Sequence, residues 1–511
     1  MPEQTIADGL QRIINAKTDI DGAIEAKGGT VTKGLENSDE DIMTITNQYT
    51  QADEGKVVSE GTLIAQTAMP DEITENSTID TTFYNSVTVN VPSGGGSQPR
   101  KDVNFYDYDG TIVNSYTAAE FAELSELPAN PTHEGLTAQG WNWSLSDAKS
   151  YVAAYRKLNI GQMYASNTTD GRTFLHIRLC EGRLKPYLGL TGNSSGTTVS
   201  IDWGDGSTTE SVTLDTSTVY TPHEYASDGE YVISILVTGG SISLKGTSYS
   251  TNLFRKSSSV AVDKDRVYAN ILMKAEIGAG VTSIGNSAFS GCNNLTSVTL
   301  PSGVTSIENY AFSDCYSLAS IAIPSSVTSI QVYAFQTCLS LTSVTIPLTV
   351  TSIRNNVFFN CYSLTSITLP SIVTSIGSGA FSSCQSLTLI AIPSSVTSIG
   401  NSAFSSCRSL TSITIPSGVT SIGDYTFNNC YSLASIAIPS GVTSIGNSAF
   451  YGAIGLGFIK FSSSTPPTVS ASNTWNSVPT DCIIYVPTGT LSAYKSATNY
   501  PNPSTYTYEE Y

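Results

Sequence analysis

The chain has 511 residues, three or four modules at roughly 100–200 residues each. Charged residues make up only 13 % and apolar ones 40 %; Ser, Thr, Asn and Gly fill the deficit, as in β-rich, turn-rich extracellular or virion proteins. A formal charge of −18 disfavours nucleic acid and anionic membrane surfaces as partners, because both need a basic face.

The charge is unevenly spread. Residues 1–270 hold 19 basic and 35 acidic residues, whereas 271–511 hold 5 and 7, so the C-terminal half must owe its solubility to hydroxyl and amide groups. No apolar run approaches the ~18 residues of a membrane span, so no membrane insertion is expected. The N-terminus has neither a basic n-region nor a continuous apolar h-region, so a secretory signal is not expected; the protein is expected either to stay in the cell that makes it or to leave by lysis.

Residues 5–27 are predicted as a helix. Ile6, Leu10, Ile13, Ile20 and Ile24 follow helical spacing, Lys17 interrupts the stripe, and Lys27-Gly28-Gly29 supplies a stop. Such a helix is too short to stand alone and is expected to pack on another chain or on the following segment. Thr82–Val91 (TFYNSVTVNV) alternates as a strand, and PSGGGSQP after it is a flexible linker. A short helix and a strand ending VTVNVP before a glycine linker resemble the N-terminal regions of tail proteins from phages of Gram-positive bacteria. The resemblance implies an attachment or oligomerisation region at 1–91 and a linker at 92–100. Without it, the stretch reads as a helical oligomerisation tag.

Residues 101–187 read as a small α+β module. It runs strand, turn, strand, helix (Thr117–Leu127), Pro-rich loop, a helix within WNWSLSDAKSYVAAYRKL, and strands at 161–166 and 173–179. Ser146 is expected to cap the second helix, with Asp147 at its start. GLTAQGWNW also resembles segments of phage tail proteins that carry leucine-rich repeats.

NFYDYDGTIV in this module resembles motif I of haloacid-dehalogenase-type phosphatases, which would make Asp107 the nucleophile and Asp109 the acid/base. The remainder of that family is missing, including room for its core before residue 190 and a Gly-Asp pair for magnesium. The simpler reading is a hairpin turning at Asp109-Gly110. His133-Glu134 is not H-E-x-x-H, and neither a G-x-S-x-G elbow nor a P-loop occurs. No catalytic residue, metal or cofactor is expected.

Residues 188–250 resemble a PKD-like, Ig-type β-sandwich through VSIDWGDGS (Val199–Ser207), His223, Tyr225 and Gly229–Ile235. The resemblance implies a spacer or adhesion module with Trp203 in its core. Asp202, Asp205 and Asp228 read as solvated turn acids, with calcium as the alternative.

The strongest pattern comes last. Phe289, Phe312, Phe335, Phe358, Phe381, Phe404, Phe427 and Phe450 are each 23 residues apart, and seven cysteines from Cys292 to Cys430 keep the same period. A fixed period in the 20–50 range predicts a solenoid whose units bury their apolar faces by stacking. In the unit Ser317–Cys338, Leu318, Ile321, Ile323, Val327, Ile330, Ala334, Phe335 and Cys338 are predicted inward, and Ser320 and Ala322 outward. One thiol per coil at constant phase predicts reduced, buried, structural cysteines.

These units resemble the BspA-like (Treponema-type) leucine-rich repeat, over about 272–460. The resemblance implies a curved β-solenoid used for binding, placed here at 251–460, with 461–511 as its terminal cap. Between the fixed positions, Tyr310, Tyr333 and Tyr425 precede Ala-Phe or its equivalent, and Tyr316, Tyr362, Arg408 and Tyr431 follow the cysteine. Tyr among Ser, Asn and Gly is paratope-like, so these seven residues are the candidate ligand face; tolerant solvated turns are the alternative.

The fold class expected is thus multidomain and mainly β: a short N-terminal helical region, a small α+β module, a PKD-like sandwich and a C-terminal leucine-rich-repeat solenoid. The function expected is that of a phage tail fibre or receptor-binding protein, located in the virion tail or baseplate. Its expected partners are a bacterial surface glycan or protein, other tail or baseplate proteins, and copies of itself, a trimer by analogy with fibres. A BspA-like adhesin on a bacterial cell surface is the rival, and a phosphatase using Asp107 and Asp109 comes third.

Overall fold

The computed structural model describes residues 78–79, 87–88, 102–108, 111–133, 136–155, 157–166, 170–180, 183–246, 253–256 and 268–511. The helix expected over 5–27, the linker at 92–100 and Asp109 lie outside the described residues. From the strand expected over 82–91, Val87–Thr88 (β2) is described, paired antiparallel with Thr78–Ile79 (β1).

Four strands and two helices follow. Val103–Tyr106 (β3) pairs antiparallel with Ile112–Tyr116 (β4) and parallel with Leu158–Ser166 (β6), and Leu136–Trp141 (β5) closes the far side of β6. Helix α1 (Ala118–Ala122) is shorter than the expected Thr117–Leu127. Thr117 and Glu120 form a reciprocal capping box at its start, and Leu124 N donates to Phe121 O at 3.3 Å where the chain leaves the helix. In α2 (Leu145–Tyr155) the cap is Ser144, whose Oγ accepts from Asp147 N at 3.1 Å, and not Ser146 as expected. Trp141 and Trp143 precede that helix and are buried, on a separate apolar core with Val103, Phe105 and Phe121.

Thr173–Leu179 (β7), expected with this module, belongs elsewhere. Its alternating Leu175, Ile177 and Leu179 face a second core, and it pairs antiparallel with Gly229–Gly239 (β12). Strands β12, Thr197–Asp202 (β9) and Glu210–Leu214 (β10) extend that sheet. Opposite lie Tyr187–Gly192 (β8), Val219–Pro222 (β11), Ile242–Leu244 (β13) and Phe254–Arg255 (β14). Trp203 is buried between the two sheets.

Both sheets run on into the repeats. Leu272–Glu276 (β15) pairs antiparallel with β7 and parallel with Ser297–Thr299 of the next coil. Val281–Ile284 (β16) pairs parallel with β13 and with Ser306–Ile307. One apolar core extends unbroken from Leu175 to Tyr508. The inward residues expected for the unit 317–338 are all at most 2 % exposed. The phenylalanine rings stack face to face, with centroids 5.1–5.8 Å apart. That is a little over the ~4.8 Å typical of neighbouring strands.

The C-terminal segment continues the coil. Phe458–Phe461, Ile483–Val486 and Thr507–Glu510 add three more parallel strands, and helix α3 (Leu491–Ser496) lies between the last two. Trp475 stacks on Phe450 at 5.1 Å and extends the ring column by one place. Tyrosine hydroxyls tie this end down: Tyr494, Tyr500 and Tyr506 donate to the carbonyls of Ser463, Pro467 and Val478.

Candidate binding surface

Each coil has two exits from the core that side chains can use. The first is the strand face. Ser320 and Ala322 are expected outward, and on that outward face Ala322, Ser343, Thr345 and Thr368 are nonetheless shielded from solvent. Residues 102–166 lie over them. Gln139 Oε1 accepts from Ser325 N at 2.6 Å, Tyr108 O accepts from Ser343 Oγ at 3.2 Å, and Asp147 Oδ2 accepts from Ser371 Oγ at 3.1 Å. Past the covered coils, Thr414 and Ala437 are exposed on the same face.

The second exit is the turn edge. Tyr316, Tyr362 and Tyr431 share one phase and are 39 %, 41 % and 37 % exposed; Ile454, at that phase in the next coil, is 55 % exposed. Arg408 is drawn over the Tyr431 ring, 5.6 Å from its centroid. At the other candidate phase, Tyr310 and Tyr333 stack at 4.9 Å and are half-buried, while Tyr425 is exposed and its hydroxyl accepts from Asn447 Nδ2 at 3.2 Å. The structure therefore brings four of the seven candidates together, as the pairs Tyr310–Tyr333 and Arg408–Tyr431, and does not gather the seven into one cluster.

Backbone geometry explains part of the variation at these sites. Every residue at the phase of Tyr310, Tyr333 and Tyr425 is left-handed, with φ between 52° and 63° from Ser287 to Ser448. Gly379 meets that requirement without penalty, whereas a tyrosine there costs about 1–2 kcal/mol.

Aromatic residues that the sequence reading missed lie on the open strand face. Phe458 and Tyr485 meet edge to face at 5.9 Å, and Lys460 Nζ lies 3.7 Å over the Tyr511 ring. The signal was legible: Phe458 occupies a phase at which Ser320, Ser343, Ser412 and Ser435 stand in other coils.

With this geometry, the comparisons fall on the repeats. A model of the BspA type leucine rich repeat region matches residues 264–384 and 351–470, in six copies. Residues 264–470 are BspA-type leucine-rich repeats. The chain is similar to a leucine-rich repeat protein from Bacteroides ovatus, at 27 % identity over 43 % of this chain and 67 % of that one, with a TM-score of 0.34. It is similar to a leucine rich cell surface protein from Faecalibacterium prausnitzii, at 29 % over 48 % and 82 %, TM-score 0.31. The T. pallidum leucine rich repeat protein matches at 31 % over 36 % and 78 %, TM-score 0.28. No curated protein matches the chain.

The BspA-type repeats keep their cysteines as thiols. All seven are free and buried, and from Cys315 to Cys430 each Sγ donates to the carbonyl of a phenylalanine 26 residues earlier, at 3.1–3.3 Å. Burial pushes the Cys361 and Cys430 thiols up to about 12, and Cys315, Cys338, Cys384 and Cys407 well above the ordinary range.

The carboxylates outside the repeats are held by neighbours. Asp107 is buried; its Oδ2 lies 2.7 Å from His133 Nε2, and its Oδ1 accepts from Tyr108 N at 2.8 Å. Asp205 Oδ2 lies 2.8 Å from His223 Nε2, whose ring stacks on Trp203 at 4.6 Å. Burial raises the Asp205 carboxyl, but hydrogen bonds from Ser207 and His223 outweigh it and hold it down to about 2. Asp202 Oδ1 accepts from Gly204 N at 3.0 Å. Among the described residues, no group of three His, Cys, Asp or Glu is placed to hold a metal ion. No described helix is long and apolar enough to cross a membrane.

Proposed function

We propose that this chain is an adhesive binding protein whose solenoid grips its target through the tyrosine-bearing turn edge. The supporting observation is the row at Tyr316, Tyr362, Tyr431 and Ile454, exposed at one phase along the stack. A tyrosine presents rigid amphipathic area at little entropic expense, and repetition along a stack multiplies weak contacts. The target on this reading is a bacterial surface glycan or protein, and the setting is a phage tail, where residues 1–100 attach or oligomerise the chain. The β-sandwich at 173–255 then acts as a PKD-like spacer, and residues 102–166 as an α+β module braced on the solenoid.

A second setting is a bacterial cell surface, favoured by the name of the Faecalibacterium relative, a leucine rich cell surface protein. Immunogold labelling separates the two: label on virion tails supports the first, and label on the producing cell envelope the second.

The adhesive role itself is tested by replacing Tyr316, Tyr362 and Tyr431 together with Ala in the full chain and measuring binding to host cells. Loss of three such anchors is expected to weaken binding at least about tenfold, with circular dichroism unchanged. Undiminished binding removes this edge from the account.

A further inference from the structure

In seven successive coils a proline follows the first strand, with Pro301, Pro324, Pro347, Pro370, Pro393, Pro416 and Pro439 at one phase. Proline has no N–H, so the carbonyl it faces in the preceding coil loses its ladder donor. The chain carries its own control. At this position in the coil after Pro439 the residue is Ser462, and Ser462 N donates to Ile438 O at 2.9 Å. Where Pro370, Pro393 and Pro416 hold that place, the carbonyls of Ile346, Leu369 and Ile392 accept from residues of the 102–166 unit instead. The donors are Asn142 Nδ2 at 3.2 Å, Trp143 Nε1 at 2.7 Å and Tyr151 Oη at 3.0 Å. One side-chain donor meets each of three successive coils.

Periodic acceptors alone would let the unit dock one coil up or down. The outward strand position breaks the degeneracy. From residue 299, in steps of 23, it reads Thr, Ala, Thr, Thr, Ala, Thr, Ala, Lys. Gly161 sits on two threonines: a Cβ there would lie 2.2 Å from Thr345 Oγ1 and 2.4 Å from Thr368 Oγ1. Asn142, fully buried, donates to Thr368 Oγ1 at 3.0 Å and accepts from Gly161 N at 2.7 Å. Ala391 packs against the unit's apolar core. The order Thr-Thr-Ala occurs once in the series, at 345, 368 and 391. A slip toward the N-terminus would press the Thr368 hydroxyl into that apolar core. A slip the other way would place the Asn142 amide on Ala391, which offers no hydroxyl. Either leaves a buried polar group poorly paired.

We propose that Thr345, Thr368 and Ala391 form a docking address. This strand face is an interaction surface built for one partner, the chain's own residues 102–166, in one register.

Disulfide trapping in the full chain tests it. Ser371 Oγ lies 3.1 Å from Asp147 Oδ2, so Asp147→Cys with Ser371→Cys reports the native register. Asp147→Cys with Leu348→Cys reports a slip of one coil. The native background is expected to favour the first pair at least about tenfold. Adding Ala322→Thr and Thr368→Ala moves the Thr-Thr-Ala order up one coil and is expected to reverse the preference. The pair Thr414→Ala and Ala437→Thr, on the open part of the face, is expected to leave it unchanged. Thr368→Ala alone, which removes a single hydroxyl, is expected to speed amide exchange across 136–166 several-fold. An unmoved preference in the shifted variant, an equal change in the control pair, or unaltered exchange in Thr368→Ala overturns the proposal.

Discussion

The thiol column shows how a single residue type reports the stacked core. From Cys315 to Cys430 each Sγ is enclosed and faces a phenylalanine carbonyl, so the neutral thiol is the form that fits. Unfolding returns these groups to water, where they ionise near 9.0, whereas burial delays Cys361 and Cys430 to about 12. The unfolded state then binds fewer protons than the native one throughout that window. Stability is therefore complete below about pH 9 and falls as pH rises toward 12, by roughly 1 kcal/mol per thiol per pH unit. Urea titrations at pH 8 and pH 10.5 should show a steep drop in midpoint, and one that shrinks when Cys361 and Cys430 are replaced by Ala. A flat profile would mean that the thiols reach solvent in the native state. The period-23 cysteines made this column legible in advance. The left-handed turn beside it was not, because Tyr310, Thr337 and Ser406 are not residue types that announce a positive φ.

At the scale of elements, the two ends of the solenoid are closed by different means. The N-terminal end continues sheet to sheet into the β-sandwich through the β7–β15 and β13–β16 pairs. The C-terminal end is closed by Trp475 and the tyrosine hydroxyls around it, and Trp475 Nε1 donates to Asn499 O at 2.9 Å. Trp475→Ala is expected to cost about 3–5 kcal/mol, confined to the last coils because each coil touches only its neighbours. Amide exchange should accelerate over 458–510 and stay unchanged over 289–335; uniform acceleration would show that the stack does not end there. Broken phase after Phe450 concealed this role, since Trp475 arrives 25 residues later, at a position that periodic reading skips. Similarly, β7 looked local to the small module because sequence order places it there. Its pairing is decided by long-range partners that no local pattern names.

At the scale of the whole molecule, the described residues form two apolar cores of unequal size, joined by side-chain hydrogen bonds and the Ala391 contact. The larger runs from the β-sandwich through every coil to the cap, and the smaller lies within 102–166. The repeat made the solenoid readable, because 23-residue spacing fixes which side chains stack. The covered strand face was not readable, because the donors Asn142, Trp143 and Tyr151 are more than 200 residues from their acceptors. That cover leaves the turn edge as the long exposed surface on which the proposed adhesion depends.

Hydroxyl-radical footprinting of the full chain, with and without host cell-wall material, examines that dependence most directly. The account predicts that oxidation of Tyr316, Tyr362 and Tyr431 falls when the wall material is bound, while Phe458, Tyr485 and Tyr511 oxidise as before. Protection of the strand-face aromatics with the three edge tyrosines unaffected would contradict it.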